Sequence, residues 1–146
     1  MEIGTRRILN QAFAEKGFHS VIKWDVQKIY DGQEIEVKFI NKGSPHRQGV
    51  WLRTDKGIVI PSLSNEKYPS ISLWEDTSPQ ELICKCYTSD GYLSIYNIWD
   101  KGNGRESQSY SSGMLLEEGH NVLTYKCNDI GFTTDFNHLV FSIEKM

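Results

Sequence analysis

Cys127, Asn128 and Asp129 stand together, and Asp135 and His138 follow shortly after. A thiol, an imidazole and an acid or amide are the parts of a nucleophilic site, in which the base takes the thiol proton and the third group orients the base. The chemistry on offer is cysteine-dependent hydrolysis. No local catalytic signature accompanies the set, however. Cys127 alternates with Tyr125 and Leu123, which assigns it to a core face, and Asn-Asp pairs commonly make turns through side-chain-to-backbone hydrogen bonds. Cys84 and Cys86 lie two apart in a strand-like run, so they share a face about 7 Å apart, outside disulfide geometry. A Cys-x-Cys pair on a strand is also not the Cys-x2-Cys knuckle of a zinc site. The expectation is three reduced, buried thiols, no metal and no catalytic residue.

The second chemistry is recognition. In Tyr92-Leu93-Ser94-Ile95-Tyr96-Asn97-Ile98-Trp99, period-two alternation puts Tyr92, Ser94 and Tyr96 on one face and Leu93, Ile95 and Trp99 on the other. The aliphatic face belongs in the core. Two tyrosines roughly 13 Å apart along a strand, with a small serine between them, make a flat platform for stacking sugar rings. The competing role for the same rings is packing against a neighbouring element. Trp74, followed by Glu75-Asp76-Thr77, joins an aromatic ring to an acidic turn that suits sugar hydroxyls or a basic partner. It can equally close the end of a barrel.

Asp100-Lys101-Gly102-Asn103-Gly104-Arg105-Glu106 resembles a calcium loop at a glance. Positions 3 and 5 of such a loop need oxygen ligands, and here they are Gly102 and Gly104. No Gly-Lys-Ser/Thr follows to make a phosphate cradle. Asp100 and Asn103 remain as polar rim groups for the tyrosine face.

These residues must be positioned by elements that are nearly all strands. Only residues 5–16 read as helix: Thr5 is a candidate N-cap, Ile8, Leu9, Ala12 and Phe13 form one stripe, Lys16 lies in the last turn and Gly17 ends it. Such a helix suits the task of covering an open sheet edge. After it, Ile35, Val37 and Phe39 alternate with Glu34, Glu36 and Lys38. Residues 50–53 and 58–60 around Asp55-Lys56-Gly57 read as one hairpin, and Leu82–Thr88 and Tyr92–Trp99 around Ser89-Asp90-Gly91 as a stronger one. Asp100 to Gly113 reads as a long loop. About ten short strands at intervals of roughly 8–12 residues predict a mainly β fold, an antiparallel sandwich or flattened barrel over residues 20–146, in a single domain spanning 1–146.

Composition narrows the function. The chain has 146 residues and 38% hydrophobic content, with sixteen Lys+Arg against nineteen Asp+Glu for a net charge of -3. That balance argues against nucleic-acid binding by bulk charge. No apolar run approaches the roughly 20 residues of a membrane span. Asn10 and Gln11 interrupt any signal-peptide core, which with the reduced thiols points to a cytoplasmic protein.

The tail Gly113-Met114-Leu115-Leu116-Glu117-Glu118, then Tyr125-Lys126-Cys127-Asn128-Asp129, then Asp135-Phe136-Asn137-His138-Leu139-Val140-Phe141-Ser142-Ile143 resembles the end of certain small bacterial proteins. Those share a G-M-L-x-E-E … Y-x-C-N-D … D-F-x-x-L-V-F-x-I pattern. The resemblance covers the last third of the chain. It implies a bacterial origin and a structural Cys-Asn-Asp turn, and carries no catalytic residues.

The functional expectation is therefore a soluble, non-enzymatic, cofactor-free binding protein. It recognises a glycan or other small or extended polar ligand through Tyr92, Ser94, Tyr96, Trp74, Asp100 and Asn103. The alternative is an intracellular immunity-type or accessory protein steered to a basic protein partner by its acidic charge. A cysteine hydrolase built on Cys127 and His138 stands third.

Overall fold

The computed structural model describes residues 6–109, 111–130 and 135–146. Its strands are β1 (Ile8–Leu9), β2 (Ile22–Lys28), β3 (Gln33–Lys42), β4 (Arg47–Val59), β5 (Tyr68–Trp74), β6 (Glu81–Cys86), β7 (Tyr92–Asp100), β8 (Arg105–Ser107), β9 (Gly113–Glu118), β10 (Val122–Asn128) and β11 (Leu139–Lys145). Period-two alternation survives into the fold: along β3, Ile35, Val37 and Phe39 are buried while Glu34, Glu36 and Lys38 face outward. Among the described residues no helix is long and apolar enough to cross a membrane.

Eight strands close into an antiparallel barrel in the order β2-β9-β10-β11-β3-β6-β4-β7 and back to β2. β1, β5 and β8 lie outside this ring on β2, β4 and β7. Closure corrects the sandwich expectation in favour of the barrel, and β4 makes the difference. Val50–Arg53 and Ile58–Ile60 are not the two arms of a hairpin, because β4 runs on through Asp55-Lys56-Gly57 as one strand. The register slips between Arg53 and Ile58. Thr54 Oγ1 accepts the Gly57 amide at 2.9 Å, and Gly57 takes φ 105°, a left-handed value that favours glycine. This bulge redirects the strand. Residues 47–53 pair with β7, and Ile58 and Val59 with β6. A second narrow seam, Ile22 opposite Met114, joins β2 to β9.

The helix expected over 5–16 is not formed among the described residues 6–16. Ile8 and Leu9 pair instead with Trp24 and Ile22 of β2, and only Gln11–Lys16 coils, as a 3-10 helix. The physical cause is Asn10. Its backbone is extended, its side-chain oxygen accepts the Ala12 amide at 3.0 Å, and its side-chain amide donates to the Ser112 carbonyl at 2.7 Å. The cap is thus Asn10, and Thr5 lies outside the described residues. Side chains that compete locally for the backbone in this way start helices late. Gly17 does end the helical turn, at φ 85°. Phe13 is fully buried, against Phe136 at 5.4 Å, whereas Leu9 is exposed.

The segment after β7 is more ordered than a loop. The Asp100 carboxylate accepts the Gly102 and Gly104 amides at 2.7 and 3.2 Å, and the chain returns as β8, with Glu106 opposite Trp99.

All three cysteines are free and buried. Burial pushes the Cys84 and Cys86 thiols up to about 12 and the Cys127 thiol well above its ordinary value. Thiolate is the reactive species. We therefore expect all three thiols to be silent to Ellman's reagent in the native protein and to react once urea unfolds it. Rapid labelling of any thiol under native conditions would contradict this burial.

Candidate functional site

β7 does not present Tyr92, Ser94 and Tyr96 as one exposed platform. Ser94 and Tyr96 are buried and Tyr92 is half-buried. The reason lies across the strands. Trp51 of β4 stands opposite Tyr96, whose neighbour on the β2 side is Trp24, by continuation of the Asp25–Ile95 pairing, and Ile8 of β1 stands opposite Trp24. Trp51 and Tyr96 stack at 4.4 Å with 12° between ring planes, and Trp24 meets Tyr96 edge-on at 5.2 Å. Such pairs are favoured packing geometries. The aromatic run therefore crosses the strands and serves as packing.

Trp74 is half-buried at the end of β5, with the Arg47 guanidinium 4.3 Å above its ring. The acidic turn that follows is already engaged: Asp76 holds Arg47 at 2.8 Å and Glu75 faces Lys42 at 3.3 Å. Asp100 is occupied by its own turn, and Asn103 is exposed at the tip of that turn. The six residues thus do not form one exposed ligand face.

Cys127 and His138 do not form a nucleophile–base pair. His138 Nδ1 lies 2.7 Å from the Asp129 carboxylate and 3.0 Å from the Asp129 amide. The other Asp129 contacts are the Ser44 hydroxyl at 2.6 Å, the Gln48 side-chain amide at 2.8 Å and the Ile130 amide at 2.5 Å. Burial opposes the Asp129 charge. The Ser44 hydroxyl, the Ile130 amide, His138 and Gln48 outweigh it and hold the carboxyl below its usual range. Asp135 Oδ1 stands 3.9 Å from His138 Nε2. This knot ties the turn after β3, the start of β4, the end of β10 and the approach to β11.

An apolar opening lies elsewhere. A cleft of about 410 Å3 opens between β5, residues 60–63, residues 77–79 and Leu82 of β6. Ile60, Ile71, Leu73 and Leu82 are its buried walls, and Leu63, 76% exposed, stands at its mouth. The polar lining is hydroxyl only, from Ser62, Ser70, Ser72, Thr77, Ser78 and Tyr68. No charged side chain lines it. Its volume falls within the range of small-ligand sites. Sequence reasoning passed over this region because it reads as a loop and a short strand; the one signal was Tyr68–Trp74, a strand with no charged residue.

Comparison with protein-family models, with curated proteins and with solved structures returns no match to this chain.

Proposed function

We propose that the protein is a binding barrel whose cleft beside β5 receives an elongated, uncharged and mainly apolar ligand. The observation that carries this is the lining: four buried aliphatic walls, hydroxyls, and no carboxylate, ammonium, guanidinium or imidazole. Desolvating such a surface is favourable, while a charged ligand would lose its hydration without an opposite charge to meet. A sugar fits the cleft less well, since its walls are aliphatic and no carboxylate or amide side chain lines it to hold ring hydroxyls. Burial of Tyr96 and Ser94 favours the cleft over the tyrosine face.

Titration with the neutral fluorophore N-phenyl-1-naphthylamine tests the proposal. The expected result is a saturable, blue-shifted signal. Leu63→Asp should weaken it about tenfold or more by placing a charge at the mouth. Because Leu63 is exposed, the same change should alter stability by less than about 1 kcal/mol. A non-saturable signal, or one indifferent to Leu63→Asp, would remove the cleft as the binding site.

A further inference from the structure

β5 has one ladder. Its partner is β4, and among the described residues no strand pairs with its other edge. Which backbone groups face that edge follows from the register. The Glu75 amide donates to the Gln48 carbonyl at 3.0 Å, in step with the pairing that runs from Gly49 opposite Trp74 to Arg53 opposite Ser70. Hydrogen-bonded pairs alternate along an antiparallel ladder. The amides and carbonyls of Ile71 and Leu73 therefore face β4, and those of Ser70 and Ser72 face away from it. Among the described residues no turn or loop backbone bond reaches Ser70 or Ser72.

The opposite wall is open in the same sense. β6 meets β4 only through Lys85 and Cys86, so among the described residues no strand pairs with its edge away from β3 from Glu81 to Cys84. β5 and β6 both run antiparallel to β4 and so parallel to each other. A segment antiparallel to one is antiparallel to the other, as everywhere else in this sheet.

An idle edge is normally blunted by charge, proline, a bulge or a cover. Tyr68–Trp74 has no charged residue, and Pro69 stands ahead of the two serines. The occupant that matches free main-chain donors and acceptors beside an uncharged apolar cleft is another main chain with uncharged side chains. We infer that the ligand of the cleft is an extended, uncharged peptide segment that adds to β5 as an antiparallel strand, hydrogen-bonded to Ser70 and Ser72. This rests on the binding reading above. Main-chain bonds supply affinity in strand addition, and alternate side chains entering the cleft supply selectivity. Ile71 and Leu73 form the floor those side chains meet.

A panel of fluorescein-labelled, end-capped uncharged hexapeptides, with Val, Leu or Phe alternating with Thr, is titrated by anisotropy. The best binder is then N-methylated one residue at a time. Methylation at alternate positions should weaken binding about tenfold or more, because each removes a donor from a paired carbonyl, while the positions between should tolerate it. Ser72→Pro removes an amide that β4 does not use. It should abolish peptide binding while naphthylamine binding persists. Should that variant not fold, the methylation scan on the unaltered protein decides. Naphthylamine binding without any peptide binding overturns strand addition and leaves the apolar cleft standing. Failure of both overturns both. Methylation effects without alternation overturn the main-chain pairing. A concentration-dependent dimer that Ser72→Pro dissolves, with no peptide bound, assigns the edge to a second copy of the chain and overturns the peptide.

Discussion

Tyr96→Ala is expected to cost about 3–5 kcal/mol of unfolding free energy, the range for deleting a large buried aromatic side chain, while Tyr92→Ala stays within about 1 kcal/mol. The two tyrosines share a strand face by sequence, so the difference arises from what lies across the strands. Tyr96 is 6% exposed, stacked on Trp51 and met edge-on by Trp24. Removing its ring opens a void beside two indoles that cannot both collapse into it, because Trp24 and Trp51 already touch each other at 5.5 Å. The loss of specific ring geometry adds about 0.5–1.5 kcal/mol to the loss of buried area. Tyr92 stands at the end of the β2–β7 ladder opposite Lys28, half in solvent. Urea denaturation of both variants reads the contrast directly. Small and equal losses would mean that the aromatic row is a surface, and would restore the Tyr92–Tyr96 face as a ligand platform.

Asp129→Ala is expected to cost about 3–5 kcal/mol, because it strands several buried donors at once, each worth about 1–3 kcal/mol when left unpaired. The carboxylate, 2% exposed, gathers the Ser44 hydroxyl, the Gln48 amide, the Ile130 amide and His138. Asp129→Asn should cost less. Its side-chain carbonyl keeps the acceptor that Ser44 and Gln48 share, but its NH2 then faces the Ile130 amide, donor against donor. The acid limb supplies a second readout. The folded carboxyl titrates below its unfolded value of about 3.9. Its stabilising contribution is therefore complete above the unfolded value and is lost as pH falls through the folded one. Below about pH 4 the unaltered protein should lose stability with a steeper slope than Asp129→Asn. Parallel slopes would show that Asp129 gains nothing from its charge.

The same network explains why a hydrolase reading of Cys127, Asp129 and His138 was available from composition alone. Those residue types do come together, but with the carboxylate at the hub. The Asp129 carboxylate accepts from the Ser44 hydroxyl while the Asp129 amide donates to His138 Nδ1, so that nitrogen is engaged within this knot rather than with the buried Cys127 thiol. Residue types were legible in the chain; their order in space was not.

Other parts were legible because their cause is local. Alternation at period two is a property of extended backbone, so the faces of β3 and the burial of Cys84 and Cys86 followed from neighbours a few residues apart, whereas the hairpin expected around Ser89-Asp90-Gly91 is not formed, because β4 lies between β6 and β7. The mainly β class followed from the density of such runs. Gly17 and Gly57 marked two of the places where the backbone enters the left-handed region. The N-terminal stripe failed because Ile8, Leu9, Ala12 and Phe13 suit a strand followed by a short 3-10 helix as well as one α-helix. Asn10 and its bond to the Ser112 carbonyl, 102 positions away, decided between them.

By itself, then, the sequence determined strands, faces, buried thiols and turns, all of which depend on covalent geometry and on side chains within a few residues. Tertiary structure alone decided that Trp24, Trp51 and Tyr96 share one row, that β4 bends to close a barrel, and that β5 is left with an open edge above an apolar cleft. Each of these is a relation between strands distant in the chain. Such pairings are selected by the register that buries the most apolar surface while satisfying the most backbone groups. That selection is made over the whole chain at once, and no stretch of residues carries it alone.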